Sequence, residues 1–215
     1  MKVLLVNGSP DAHGNTALAL AEVEKQLHAE GVETENLWLG NGPVRDCIDC
    51  GKCAQTGLCI FRDDAADKLL ELAKTADGFV FGTPVYYAHP SGRILSVLDR
   101  VFYAGGGVGD DGYALFAHKP AAAVAIARRA GCAASLDVLN KYFTIGQMPV
   151  VSSTYWNLAF GNGPRADIAQ DAEGLQTMRN LGRNMAWLLH CIEAGRAAGI
   201  PAPAAEQGVW TNFVR

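Results

Sequence analysis

Long apolar runs are missing. Nowhere in the 215 residues do about 18 consecutive positions stay apolar, the length a membrane-spanning helix requires. Charge of either sign is sparse: 18 Lys and Arg against 22 Asp and Glu leave a net charge of −4, with no basic stripe. The electrostatic footprint of a nucleic-acid or anionic-membrane binder is therefore absent. No internal repeat or low-complexity linker occurs and 49% of the residues are apolar, which excludes disordered and collagen-like chains. The opening MKVLLVNGSPD has an apolar run of only Val3 to Val6, which is not the pattern of a signal peptide, so a cytoplasmic location is expected. There, six cysteines point to metal or redox chemistry more than to structural disulfides. A single domain over 1–215 is expected, since a chain of this length buries about 70–75% of its unfolded surface without a staple.

What is present is an alternation of short apolar or β-branched runs with longer stretches of helical period. Strands are predicted over 2–7, 32–39, 78–83, 120–127 and 148–153. Helices are predicted over 15–30, 64–75, 91–103, 131–144 and, at the C-terminus, 171–198. This order predicts an α/β three-layer sandwich around a five-stranded parallel sheet covered on both faces. Such sheets hold ligands beyond the strand C-termini at the switch point, which singles out the loops 8–16, 84–92 and 128–131. A cysteine-rich loop at 40–62 and a glycine-rich loop at 105–112 stand outside the alternation.

The first loop, GSPDAHGNT, lacks both the GxGxxG of a dinucleotide fold and the Gly-Lys-Ser/Thr of a P-loop, and no Lys occurs from 3 to 24. It offers the hydroxyls of Ser9 and Thr16, the Asn15 amide and the N–H groups of a helix N-terminus. That set suits a phosphate that is held and not transferred. Simple helix capping by Asn15 and Thr16 is the alternative. His13 reads as a solvated loop residue.

Cys47, Cys50, Cys53 and Cys59 form C-x2-C-x2-C-x5-C. Three thiolates at this spacing can turn about one centre and a fourth can close the shell. This matches iron–sulfur ligation more than a zinc ribbon with two separated pairs, with metal-free thiols as the remaining alternative. Asp63 and Asp64 read as caps of the following helix, and Cys132 and Cys191 as inert thiols on helices.

The blocks VNGSPDAHGNT (6–16), CIDCGKCAQTGLCIFRDD (47–64), GTPVYYAHPSGRILSVLDR (82–100) and MPVVSSTYWN (148–157) together resemble the flavodoxin-like NADPH-dependent FMN reductase family, and within it the iron–sulfur flavoprotein branch. The resemblance implies a flavodoxin-like fold and bound FMN. The phosphate loop would match Ser9, Asn15 and Thr16. The flavin-contacting loop would match Pro84, Val85, Tyr86 and Tyr87, closed by Ser91 and Gly92, and a third contact would match Arg128 to Gly131. It implies a [4Fe–4S] cluster on Cys47, Cys50, Cys53 and Cys59, NAD(P)H or a ferredoxin-like protein as electron donor, and a homodimer or homotetramer. The chain departs from the usual pattern at His89-Pro90 and at Arg128-Arg129.

The function expected is that of an FMN-dependent oxidoreductase passing electrons to a small-molecule or protein acceptor. The flavin carries the chemistry, and no catalytic triad or carboxylate pair is evident. The alternative is a flavin-containing electron carrier or redox sensor with little turnover. A nicotinamide dehydrogenase, with Glu33 or Glu35 on a ribose, is disfavoured by the missing glycine fingerprint. Trp156 and the 105–112 loop are candidates for a subunit contact or a cover of the site.

Overall fold

A computed structural model of the chain describes residues 1–62, 64–106, 115–162, 167–206, 209 and 211. Strand β1 (Lys2–Asn7) leads into helix α1 (Asn15–Ala29) and strand β2 (Glu33–Trp38). A long irregular stretch follows, broken by the single turn of α2 (Cys53–Thr56). Then come α3 (Ala65–Ala73), β3 (Gly78–Tyr86), β4 (His89–Pro90), α4 (Gly92–Gly106), β5 (Ala121–Ala127), α5 (Cys132–Ile145), β6 (Leu158–Phe160) and α6 (Ala172–Ala197).

Five strands lie in the order β2-β1-β3-β5-β6, every neighbouring pair parallel. The central strands are apolar at successive positions because both their faces are covered. Leu4 and Val6 of β1, Phe79 and Phe81 of β3, and Ala121, Ala123 and Ala125 of β5 face a core shared with α3, α4 and α5. The intervening Val3, Leu5, Val80, Ala122 and Val124 face a second core built with α1 and α6. The two-residue period of a strand thus divides one sequence between two layers. The chain leaves β1 toward β2 on one side and β3 toward β5 on the other, so the switch point falls between β1 and β3. The expected flavodoxin-like three-layer sandwich is present. Among the described residues, no helix is long and apolar enough to cross a membrane.

The fifth strand is not where the sequence predicts it. The 148–153 segment meets the sheet through one bridge, Val150 opposite Ala121, in which the Ala121 N–H donates to the Pro149 carbonyl at 2.9 Å and the Val151 N–H donates to the Ala121 carbonyl at 2.8 Å. The chain then swings out and returns as Leu158–Phe160 to pair with Ala125–Ala127. Side chains hold this detour. Asn157 Nδ2 donates to the Val151 carbonyl at 3.2 Å, Ser153 Oγ to the Thr177 carbonyl at 2.7 Å, and Asn184 Nδ2 to the Ser152 carbonyl at 2.8 Å. The bonds to Val151 and Ser152 satisfy carbonyls that a ladder would otherwise take, and the bond to Thr177 ties the detour to α6. A second difference is that β3 runs three residues past the predicted end and folds back through β4. Of the glycine-rich loop predicted at 105–112, Gly105 and Gly106 close α4, and the remainder lies outside the described residues.

Candidate functional site

The three loops singled out by the strand ends meet. The Gly8 N–H donates to the Gly82 carbonyl at 2.8 Å, tying the first loop to β3. A Cβ at Gly8 would lie 2.9 Å from Ile94 Cδ1 and 3.0 Å from that carbonyl, so close approach demands glycine here. Ser91 is buried and its hydroxyl donates to the Gly8 carbonyl at 3.0 Å, while its N–H donates to Thr83 Oγ1 at 3.0 Å. Ser91 is therefore a bolt between loops and not a free donor. The loop after β5 joins at Gly131, whose φ of +96 suits glycine and whose Cβ position lies 2.4 Å from Ala88 Cα.

Within the first loop, Ser9 is buried, its Oγ accepts from the Asp11 N–H at 3.1 Å, and its carbonyl accepts from Trp38 Nε1 at 2.8 Å. Helix α1 opens on Gly14, which brings no capping side chain to the N–H groups of the first turn. Asn15 and Thr16 are thus not the caps. Asn15 instead reaches across the fold: its Nδ2 donates to Asp167 Oδ1 at 2.7 Å, and its Oδ1 accepts from the Ile168 N–H at 3.2 Å. Thr16 is buried with its methyl toward Gly82. His13 is exposed, its N–H donating to Asp11 Oδ1 at 2.9 Å.

The 84–91 loop is a tight hairpin. Val85 pairs with Pro90 and Tyr86 with His89, and the two turn residues Tyr87 and Ala88 both have positive φ, 52 and 59. Neither is the glycine or asparagine that this turn usually takes, so backbone strain is concentrated there. The turn places Tyr87 wholly in solvent, and Tyr86 stays half-exposed with its hydroxyl pKa pushed up by burial. Pro84 and Val85 are half-buried; Gly92, Arg128 and Arg129 are exposed.

The four loop cysteines also converge. Cys47, Cys50, Cys53 and Cys59 line one small pocket of about 20 Å³ with Phe61, Arg100 and Tyr103. Cys53 is buried and Cys59 half-buried, while Cys47 and Cys50 are exposed. Burial and the neighbouring thiols push the Cys53 pKa up. Among the described residues, no three of His, Cys, Asp and Glu are set to hold a single metal ion. Helix α4 seats this loop along its length. Arg93 Nη1 donates to the Gly42 carbonyl at 2.6 Å, the Ser96 hydroxyl to Asp46, Arg100 to the 45–64 segment, and the Tyr103 hydroxyl to Asp49 Oδ1 at 3.3 Å. Asp64 caps α3 through the Ala66 and Asp67 N–H groups, as its position predicts; Asp63 lies outside the described residues. Sequence reading assigns no role to Arg100 or Trp38. The sign of Arg100 in the sequence is the charged pair Asp99-Arg100 set between Leu98 and Val101.

A concavity of about 640 Å³ lies elsewhere, along the split sheet edge between α5 and 150–157. A second, of about 350 Å³, reaches the site through Arg129, Ala130 and Gly131 and is walled by Trp156 and Phe160. Neither is lined by 8–16 or 84–92. The larger groove is the space left by the detour of the edge strand, and the three-loop junction at the strand C-termini stands as the candidate site.

The model of the NADPH-dependent FMN reductase family matches residues 1–163. An iron-sulfur flavoprotein of Methanocaldococcus jannaschii is 32% identical over 204 residues, covering 90% of this chain and 100% of that protein. One from Methanosarcina thermophila is 25% identical over 198 residues, covering 91% and 99%. Among solved structures, RosB with a bound 8-demethyl-8-formylriboflavin-5'-phosphate intermediate superposes with a TM-score of 0.68 at 18% identity, covering 100% of this chain and 94% of that one. An archaeal flavodoxin superposes with a TM-score of 0.58 at 12% identity, covering 88% and 99%.

Proposed function

Since the chain belongs to the NADPH-dependent FMN reductase family, whose function is flavin-dependent oxidoreduction, we propose that FMN sits on the junction of the 8–16, 84–92 and 128–131 loops and that the four-cysteine loop holds a [4Fe–4S] cluster. The observation that carries the flavin site is the joining of three loops at the β1/β3 switch point by Ser91–Gly8 and Gly131–Ala88. FMN, when bound, supplies hydride and single-electron chemistry. The uncapped first turn of α1 and the Ser9 hydroxyl bind and orient its phosphate. Asn15, engaged with Asp167 and Ile168, fixes the loop from behind, and Thr16 packs it against Gly82. Pro84, Val85, Tyr86 and Tyr87 form an apolar wall. Arg128 and Arg129 offer forked donors to a phosphate of NADPH or to an anionic acceptor.

The donor set supports the cluster: four thiols line one pocket, and iron–sulfur centres take four thiolates. The pocket is tight, so seating a cluster requires the Cys47 and Cys50 end of the loop to part. Metal binding ordinarily drives such ordering. Exposure of that same end favours a second reading, an electron carrier working with a ferredoxin-like partner. The homodimer or homotetramer implied by the resemblance belongs to the same proposal and is counted by light scattering.

The test is an absorption spectrum of protein purified without oxygen, with iron, zinc, sulfide and flavin counted per chain. Flavin bands with about four irons and matching sulfide support both proposals. Failure to bind added FMN overturns the flavin site; FMN without iron after anaerobic reconstitution overturns the cluster. Steady NAD(P)H oxidation with a quinone separates the enzyme from the carrier.

A further inference from the structure

Arg100 heads the fully buried side chains by size, with only 2% of it exposed. Burying a guanidinium is costly unless every donor finds a partner. Here each of the five does. Nε donates to Cys59 Sγ at 3.2 Å; Nη1 donates to Asp64 Oδ2 at 2.5 Å and the Arg45 carbonyl at 3.2 Å; Nη2 donates to the Phe61 carbonyl and Asp64 Oδ1, both at 3.0 Å. Its carbon lies 5.3 Å from the centre of the Phe61 ring. Burial alone pulls the Arg100 pKa down, but the bonds to Asp64 and Cys59 outweigh it and hold it above the ordinary value.

A structural clip needs only the carboxylate and the carbonyls. The fifth bond is different, because a neutral thiol is a weak acceptor and a thiolate a strong one. The donor set is also asymmetric. It fixes Cys59 and the chain on either side of it, while Cys47 and Cys50 at the other end are exposed.

We propose that Arg100 is the positioning residue of the four-cysteine centre: it holds Cys59 as the fixed ligand from which the others close, and its Nε–H bond to Sγ sets the reduction potential of that centre upward. This rests on the cluster reading above. The physical reason is that a hydrogen bond, and still more a positive charge, beside a ligating sulfur stabilises the reduced cluster by offsetting its added electron. Asp64 works in the opposite sense by partly neutralising the guanidinium.

The opposed signs supply the test. Wild type, Arg100→Gln and Asp64→Asn full-length proteins are reconstituted anaerobically, iron and sulfide are counted, and the cluster potential is titrated with the EPR signal of the reduced centre as readout. Arg100→Gln is expected to shift the potential negative, by at least tenfold in the reduction equilibrium, about 59 mV for one electron. Asp64→Asn keeps the helix cap, since Asn caps as well as Asp, and takes one acceptor from Arg100 while the bonds to Cys59, Arg45, Phe61 and the remaining side-chain oxygen hold it. It is expected to shift the potential positive. Unchanged potentials, or shifts of the same sign in both variants, overturn the inference and leave Arg100 a structural clip. Should Arg100→Gln fail to fold or load, Asp64→Asn decides alone: a positive shift supports the inference, and no shift or a negative one overturns it. Wild type that takes up no iron overturns the cluster reading and this inference with it, whereas full iron with unmoved potentials overturns this inference only.

Discussion

Gly131→Ala probes the joint between the 84–92 and 128–131 loops, on which the proposed flavin site depends. At a φ of +96 an alanine is strained, and its Cβ would stand 2.4 Å from Ala88 Cα, 2.9 Å from Ala88 Cβ and 2.8 Å from Val85 Cγ1. The left-handed conformation costs about 1–2 kcal/mol. Overpacking adds about 1–3 kcal/mol, and the upper half applies because the nearest atom is backbone. The smaller conformational freedom of an unfolded alanine returns about 0.4–1 kcal/mol. The net expectation is a loss of about 2–5 kcal/mol, read from urea unfolding midpoints at unchanged slope. The clash is relieved by pushing the Tyr86–His89 hairpin outward, so FMN affinity, read by quenching of flavin fluorescence, is expected to fall about tenfold or more, the equivalent of 1.4 kcal/mol. Stability within 0.5 kcal/mol of wild type would refute the packing argument. A destabilised protein with unaltered FMN affinity would refute the hairpin as a wall of the site.

Three further outcomes follow from single groups. Ser91→Ala strands the Gly8 carbonyl that its hydroxyl serves and is expected to cost about 1–3 kcal/mol in urea unfolding, together with weaker FMN binding. Ala88→Gly relieves a positive φ of 59; the left-handed penalty of about 1–2 kcal/mol, less glycine's entropic cost of about 0.5–1 kcal/mol, predicts a higher melting temperature and no loss of fold. Cys132 is buried and its thiol pKa is pushed up to about 11 by desolvation, so iodoacetamide at pH 8 is expected to label exposed Cys191 and spare Cys132 by peptide mass mapping. The unfolded thiol releases its proton near 9 and the folded one near 11, so the unfolded state binds fewer protons in that window and stability falls as pH rises through it, by about 2–3 kcal/mol in total. Cys132→Ala is expected to remove that alkaline decline, and an unchanged slope in the variant would show that the thiol is not its source.

The layered fold was legible because each buried strand announces itself locally. An unbroken apolar run such as Val3 to Val6, bounded by turn residues and followed by a helical period, needs a sheet covered on both faces. The split edge strand was not legible. The apolar Pro149-Val150-Val151 reads as strand, and what diverts it are bonds to α6 at Thr177 and Asn184, residues that no local window contains. The hairpin at 87–88 escaped for the opposite reason: its turn is made by Tyr and Ala, which carry no turn signal. The cysteine spacing was plain, but the seat of the loop was not, because Arg100 meets partners 36 to 55 positions away.

That seat has a consequence for how the two proposed centres are placed. Helix α4 begins beside the 84–92 loop, where Ser91 bolts the first loop to the third. The same helix carries Arg100 nine positions on, which at 1.5 Å per residue is about 13 Å along its axis. Arg93, Ser96 and Tyr103 pin further points of the cysteine loop to the helix between and beyond them. Ile94, Val97, Leu98 and Val101 meanwhile anchor its inner face in the core. A single rigid element therefore fixes the spacing of the flavin site and the cysteine centre. Helix α4 thus serves twice, its core residues for stability and Arg93, Ser96, Arg100 and Tyr103 for seating the cysteine loop.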